Sequence, residues 1–130
     1  MCLAIGAFVG ARVKQAFAGA VIGPIIGVLA AAGFYVFAPT LGWGAMFPMW
    51  MLLWICFGLM GAVLGSGRGA GGAILQGIIA AVLSGLAFYA ISGIWTNPPP
   101  GGPNYLRNFL SWSFAFLPGF AALFWAEPRR

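Results

Sequence analysis

The stretch that decides the fold is QAFAGAVIGPIIGVLAAAGFYVF, residues 15–37. It carries no charged residue, and an α-helix needs roughly 20 apolar residues to cross the hydrocarbon core of a bilayer. Backbone groups in lipid must be hydrogen-bonded within the chain, so a stretch of this kind is expected to be helical. The sequence therefore predicts a transmembrane helix that stops at Ala38-Pro39-Thr40, because proline and its predecessor resist helical continuation.

The composition of the whole chain also indicates a lipid environment. Hydrophobic residues make up 62% of the 130 residues and charged residues only 5%, whereas soluble domains carry about 25% charged residues. We therefore predict a single all-α integral membrane domain over residues 1–130, with four transmembrane helices and an interfacial N-terminal arm that could instead extend the first helix. The arm covers residues 1–14 and the spans cover about 15–37, 46–64, 70–94 and 106–126.

The basic residues predict the orientation, because retained lysine and arginine mark the cytoplasmic side. With four spans, only Arg107 falls on the opposite side from the other five basic residues. Both termini are therefore predicted to be cytoplasmic. The charges are too scattered for a nucleic-acid interface. The five residues on the predicted cytoplasmic side are Arg12, Lys14, Arg68, Arg129 and Arg130.

An internal repeat emerges when the sequence is shifted by 54 positions. The shift superposes the basic residues Lys14 and Arg68, and it also aligns the Phe-Tyr pairs at 34–35 and 88–89. It predicts two tandem helical hairpins in parallel orientation. Inverted repeats form midplane transport sites, whereas parallel hairpins more simply form a compact bundle.

Small residues recur every four positions in the first and third spans. Helices in lipid associate through close backbone approach at such residues, since no hydrophobic drive brings them together. We predict that the two stripes face one another or the flanking spans; an oligomer interface, or a groove for a flat lipid or pigment, is the alternative. The stripes are Gly19, Gly23, Gly27 and Ala31, and Ala73, Gly77, Ala81 and Gly85.

Reactive side chains are scarce. The chain has no His and no Asp, and its one acidic residue is Glu127. General acid–base chemistry, proton coupling and tightly held metals all depend on such groups, so we predict no catalytic residue, no metal site, no cofactor of its own and no enzyme activity. Gln76 is the least expected polar residue in a span, and it is predicted to contact a neighbouring helix or, less favoured, a ligand.

These features favour an accessory or scaffolding subunit of a larger membrane complex, of the respiratory, photosynthetic or oxygenase type. Its partners would be other membrane subunits and lipids, with bound lipid expected. The alternative is a small oligomeric channel or carrier for a neutral or apolar solute, lined by Ser, Tyr, Gln and backbone carbonyls.

Overall fold

A computed structural model describes residues 1–65, 67, 69–92 and 105–125 of the chain. These residues form five α-helices and a 3₁₀ turn over Gly42–Ala45, with no β-strand among them. The prediction of an all-helical fold is therefore confirmed for the described part of the chain. The helices are α1 (Cys2–Arg12), α2 (Ala16–Leu41), α3 (Met46–Val63), α4 (Ala70–Ser92) and α5 (Tyr105–Trp125).

Three of these helices, α2, α3 and α4, are long and apolar enough to cross a membrane. The apolar segment of α5, Phe109–Phe124, is shorter, as is α1. Three of the four predicted spans therefore have the length and composition of a transmembrane helix. Residues 93–94 and 126, which the sequence analysis included in the third and fourth spans, lie outside the described residues.

The helix that contains the first predicted span does not stop at Ala38-Pro39-Thr40, as the sequence predicted. Helix α2 passes through Pro39 and ends at Leu41, and the next residue, Gly42, has a φ of 52°. A proline in the last turn of a helix removes a single backbone hydrogen bond, which the remaining turn tolerates. The left-handed backbone of Gly42, which glycine adopts without steric cost, turns the chain instead.

Helix α3 lies at the centre of the bundle and contacts the other four helices. Its largest side chains, Trp50, Trp54 and Phe57, are fully buried. Helix α2 packs on α1 and α3, while α4 packs on α3 and α5. The core of the protein is thus built around α3, and α2 lies at one side of it.

Helix α1 folds back along α2 as the first arm of an antiparallel hairpin. The turn between them includes Lys14, whose φ of 61° is in the left-handed region, and the amide of Gln15 donates to the carbonyl of Gly10 over 2.7 Å. At about 1.5 Å per residue, the 11 residues of α1 cover less than half of the 26 residues of α2. The segment predicted as an interfacial arm therefore has α2 as a packing partner.

Candidate functional site

The contact between α1 and α2 brings backbone against backbone. A Cβ atom added to Gly19 would meet the carbonyl of Gly6, and one added to Gly23 would meet the carbonyl of Cys2. A Cβ added to Gly10 would lie 3.0 Å from the Cα of Gly19. These distances leave no room for a side chain, so glycine is required at this interface.

The stripe on α2 extends beyond the end of α1. A Cβ on Gly27 would lie 2.9 Å from the Sγ of Cys2, which belongs to the first residue of α1. Ala31, predicted as the fourth member of the stripe, is exposed. It therefore takes no part in the contact between α1 and α2.

The second stripe packs on α3. A Cβ on Gly77 would lie 2.6 Å from the Cα of Ile55, and one on Gly85 would lie 2.9 Å from the ring of Phe47. The stripe's two alanines, Ala73 and Ala81, are buried. The two stripes therefore contact different helices, α1 and α3, and do not face one another as the first alternative of the sequence analysis had it.

A third small-residue stripe, which was not predicted from the sequence, lies on α5. Ser111 and Ala115 are fully buried, and a Cβ on Gly119 would meet the side chains of Ser84 and Trp54. The same spacing of four residues was its signal in the sequence. Aromatic residues surround it on α5, and Pro118 precedes its glycine, so the pattern was less evident than on α2 or α4.

Two buried polar groups hold α3 and α4 together at the level of this stripe. The indole Nε1 of Trp54 donates to the Oγ of Ser84 over 2.8 Å, and both side chains are fully buried. Hydrogen bonds between transmembrane helices contribute on average about 0.6 kcal/mol, with higher values in model peptides. Gly119 allows α5 to approach this pair, so three helices meet at one point.

Two glutamines bond to carbonyls near the C-terminal ends of helices. Nε2 of Gln76 donates to the carbonyl of Ala122 over 3.3 Å, and Nε2 of Gln15 donates to the carbonyl of Leu64 over 3.1 Å. The last carbonyls of a helix lack an intrahelical donor, so the amide of Gln15 satisfies one at the end of α3, where Leu64 is the C-cap residue. Gln76, predicted as a possible polar contact, is buried and makes this contact within the protein.

An aromatic cluster fills the space between α3, α4 and α5. The ring of Trp50 lies 5.3 Å from that of Trp112 and 5.0 Å from that of Phe116, and the rings of Phe47 and Tyr89 stack at 5.1 Å. Such ring pairs contribute about 0.5–1.5 kcal/mol each beyond burial. Nε1 of Trp50 is buried, and no residue in the described part of the chain accepts a hydrogen bond from it.

Two basic residues, Arg12 and Lys14, lie at the turn between α1 and α2. Arg12 and Lys14 are both exposed, and the guanidinium carbon of Arg12 lies 5.0 Å from the centre of the Phe124 ring on α5. This contact places the ends of α1 and α5 side by side. The other predicted topology residues, Arg68, Arg129 and Arg130, lie outside the described residues.

The arrangement offers packing surfaces more than reactive groups. Among the described residues, no three His, Cys, Asp or Glu side chains come together as a metal site would require, and Cys2 and Cys56 are free thiols. Comparison with protein-family models, with curated proteins and with solved structures found no match.

Proposed function

We propose that this protein is an accessory or scaffolding subunit of a larger membrane complex, which it serves by helix packing and not by catalysis. The observation that carries the proposal is the uneven burial of its apolar helices. Only 17% of the most apolar window of α2 is buried, against 39% for α3 and 44% for α4. A helix this poorly covered by its own chain is available to a neighbouring subunit.

The proposal includes α5 as a fourth span. Its end lies beside the end of α1, because Phe8 on α1 contacts Phe120 and Phe124 with ring centres 5.3 and 5.2 Å apart. The start of α2 and the end of α3 meet at the same level through the bond from Gln15 to Leu64. Helix α5 therefore runs beside the longer helices, as a spanning helix would.

Arg12 and Lys14 are exposed at the end of the bundle where α1, α3 and α5 end and α2 begins. By the positive-inside rule, we propose that this end of the bundle, where α5 ends, faces the cytoplasm. The predicted cytoplasmic position of the N-terminus does not follow from this arrangement, because α1 folds back and its first residue, Cys2, lies beside Gly23 and Gly27, partway along α2. In this orientation Arg12 and Lys14 contact the headgroups of the cytoplasmic leaflet, which supports bound lipid as a component of the purified protein.

We further propose that the chain consists of two related hairpins, α2–α3 and α4–α5. Each stripe of small residues packs on the helix that precedes it in the chain, α2 on α1 and α4 on α3. The polar groups of the second hairpin have partners within the protein, since Ser84 accepts a hydrogen bond from Trp54 of α3 and Gln76 donates one to the carbonyl of Ala122 on α5. This engagement favours a packed interior over the water-lined pore of a channel.

Mild detergent extraction from native membranes tests the proposal. We expect the tagged chain to be recovered with other membrane proteins in fixed stoichiometry. The control is the same protein reconstituted alone in liposomes, where we expect no flux of small neutral solutes above that of empty liposomes. A stable, solitary protein that conducts such solutes would contradict the proposal and favour the channel.

A further inference from the structure

The turn between α1 and α2 carries a positive charge on a fixed backbone. The amide of Lys14 donates to the carbonyl of Ala11 over 3.1 Å, and the amide of Gln15 donates to that of Gly10 over 2.7 Å. These two bonds form a helix C-cap whose left-handed position usually belongs to glycine, but Lys14 occupies it. The side chain of Gln15 also bonds to the carbonyl of Leu64, which ties the turn to the end of α3.

The charge of Lys14 has no counter-charge in the described part of the chain. Lys14 is exposed, and the residues that the structure describes include no Asp or Glu, so no carboxylate pairs with it there. Arg12, two residues earlier, adds a second exposed positive charge to the same turn. An anion from the surroundings can therefore bind at this turn.

Four exposed apolar side chains form a ridge on α2 that begins beside the turn. Successive members are four, four and three residues apart, so they lie on one face of the helix. At about 1.5 Å per residue the ridge covers about 16 Å, close to the thickness of one leaflet of the hydrocarbon core. It lies on the opposite side of α2 from the glycines that pack on α1. The members of this α2 ridge are Phe17, Val21, Ile25 and Val28.

We propose that the turn and the α2 ridge bind an anionic phospholipid, with its phosphate against Lys14 and an acyl chain along the ridge. A positive charge at one end of an apolar surface of this length complements both parts of such a lipid. A free phosphate ion would use the charge and leave the ridge without a partner. The inference rests on the membrane orientation in the proposed function, which sets this turn among the headgroups, and it requires no partner subunit.

Site-specific photo-crosslinking of the purified protein tests the site in nanodiscs that contain equal amounts of phosphatidylglycerol and phosphatidylcholine. p-Benzoylphenylalanine replaces Phe17 on the ridge or, as the matched control, Phe37, which is exposed near the other end of α2. A lysine near an anionic lipid surface attracts it enough for about a fivefold enrichment. We expect crosslinked lipid at position 17 to be enriched in phosphatidylglycerol by about this factor over position 37, as measured by mass spectrometry. Equal lipid ratios at the two positions would contradict the inference.

Three substitutions of Lys14 identify the group responsible. Lys14→Gln removes the charge and should abolish the enrichment at position 17, while Lys14→Arg should retain it. Lys14→Gly should also abolish it, and because glycine adopts the left-handed backbone without steric cost, this variant should unfold at no lower a temperature than the unmodified protein. Enrichment that persists in the Gln and Gly variants would overturn the site.

A competition experiment separates the lipid from a free phosphate ion. Inorganic phosphate should reduce the enrichment no more than sodium chloride of the same ionic strength. A selective loss with phosphate would show that the turn binds the free ion, and it would overturn the lipid assignment.

The outcomes also separate this inference from the proposed function, because the nanodiscs contain no other protein. Enrichment at position 17 in a protein that is extracted without partners would support the lipid site and contradict the subunit proposal. Stoichiometric partners together with equal lipid ratios at positions 17 and 37 would overturn the lipid site and leave the subunit proposal standing.

Discussion

Replacing Gly77 by alanine should separate α3 from α4. The added Cβ would lie 2.6 Å from the Cα of Ile55, 2.8 Å from its backbone nitrogen and 2.9 Å from the carbonyl oxygen of Trp54. Carbon atoms in favourable contact lie about 3.5–4.0 Å apart, so the two helices must move apart by about 1 Å at this level. All three neighbours are backbone atoms, which cannot rotate away as a side chain would.

The size of the effect follows from two opposing terms. Overpacking of a close contact costs about 1–3 kcal/mol, while alanine in a helix is favoured over glycine by about 0.5–1 kcal/mol. Gly71→Ala on the same helix supplies the control, because nothing lies within 4 Å of the Cβ that it adds. We therefore expect Gly71→Ala to be neutral or stabilising, and Gly77→Ala to be less stable than it by about 1–3 kcal/mol.

The measurement is unfolding of the detergent-solubilised protein by heat or by SDS, followed by tryptophan fluorescence. A third variant, Gly85→Ala, tests an intermediate case. Its Cβ would lie 2.9 Å from the ring of Phe47, which is a side chain and can move more easily than a backbone. We expect its stability to fall between those of the other two variants. Equal stabilities of Gly77→Ala and Gly71→Ala would refute the close approach of α3 and α4.

Three further substitutions probe the other contacts. A double-mutant cycle of Trp54→Phe and Ser84→Ala should give a coupling free energy of about 0.6–1.7 kcal/mol, measured by the same unfolding assay; a value of zero would refute their hydrogen bond. Gly19→Leu should detach α1 from α2 and expose Cys2. Because burial raises the pKa of the Cys2 thiol, its release should lower that pKa towards the usual value and speed maleimide labelling at neutral pH, in a background where the other cysteine is alanine. Gln76→Leu removes a donor to a carbonyl near the end of α5, so amide exchange in the last turn of α5 should increase, while α2 amides serve as the control.

The sequence predicted helix positions well where a break was unambiguous. Helix α3 begins at Met46 as predicted and ends at Val63, one residue before the predicted end, because the glycines that follow leave the helix. The end of α2 was misplaced because a proline near a helix end removes one hydrogen bond without stopping the helix. The actual stop, Gly42, is recognisable only from its backbone conformation.

The sequence predicted the small-residue stripes, but it did not predict which helices pack on them. Spacing of four residues identified which faces of α2 and α4 carry small side chains, but it carries no information on which helix approaches each face. Gly6 and Gly10 on α1 show the same spacing as Gly19 and Gly23, yet every such stripe is compatible with every other. The pairing is decided by the order of the helices and the length of their turns, which hold α1 beside α2.

The two Phe-Tyr pairs show how far local sequence determines burial in this bundle. Phe88 and Tyr89 are buried, whereas Tyr35, in the identical dipeptide on α2, is 76% exposed. The difference lies in the preceding helix, because α3 reaches the level of Tyr89 and α1 stops well short of Tyr35. In lipid an apolar side chain has no need to be buried, so its environment depends on which neighbours extend to its level. The two tyrosines therefore differ in burial because different helices precede them, and their shared local sequence does not determine it.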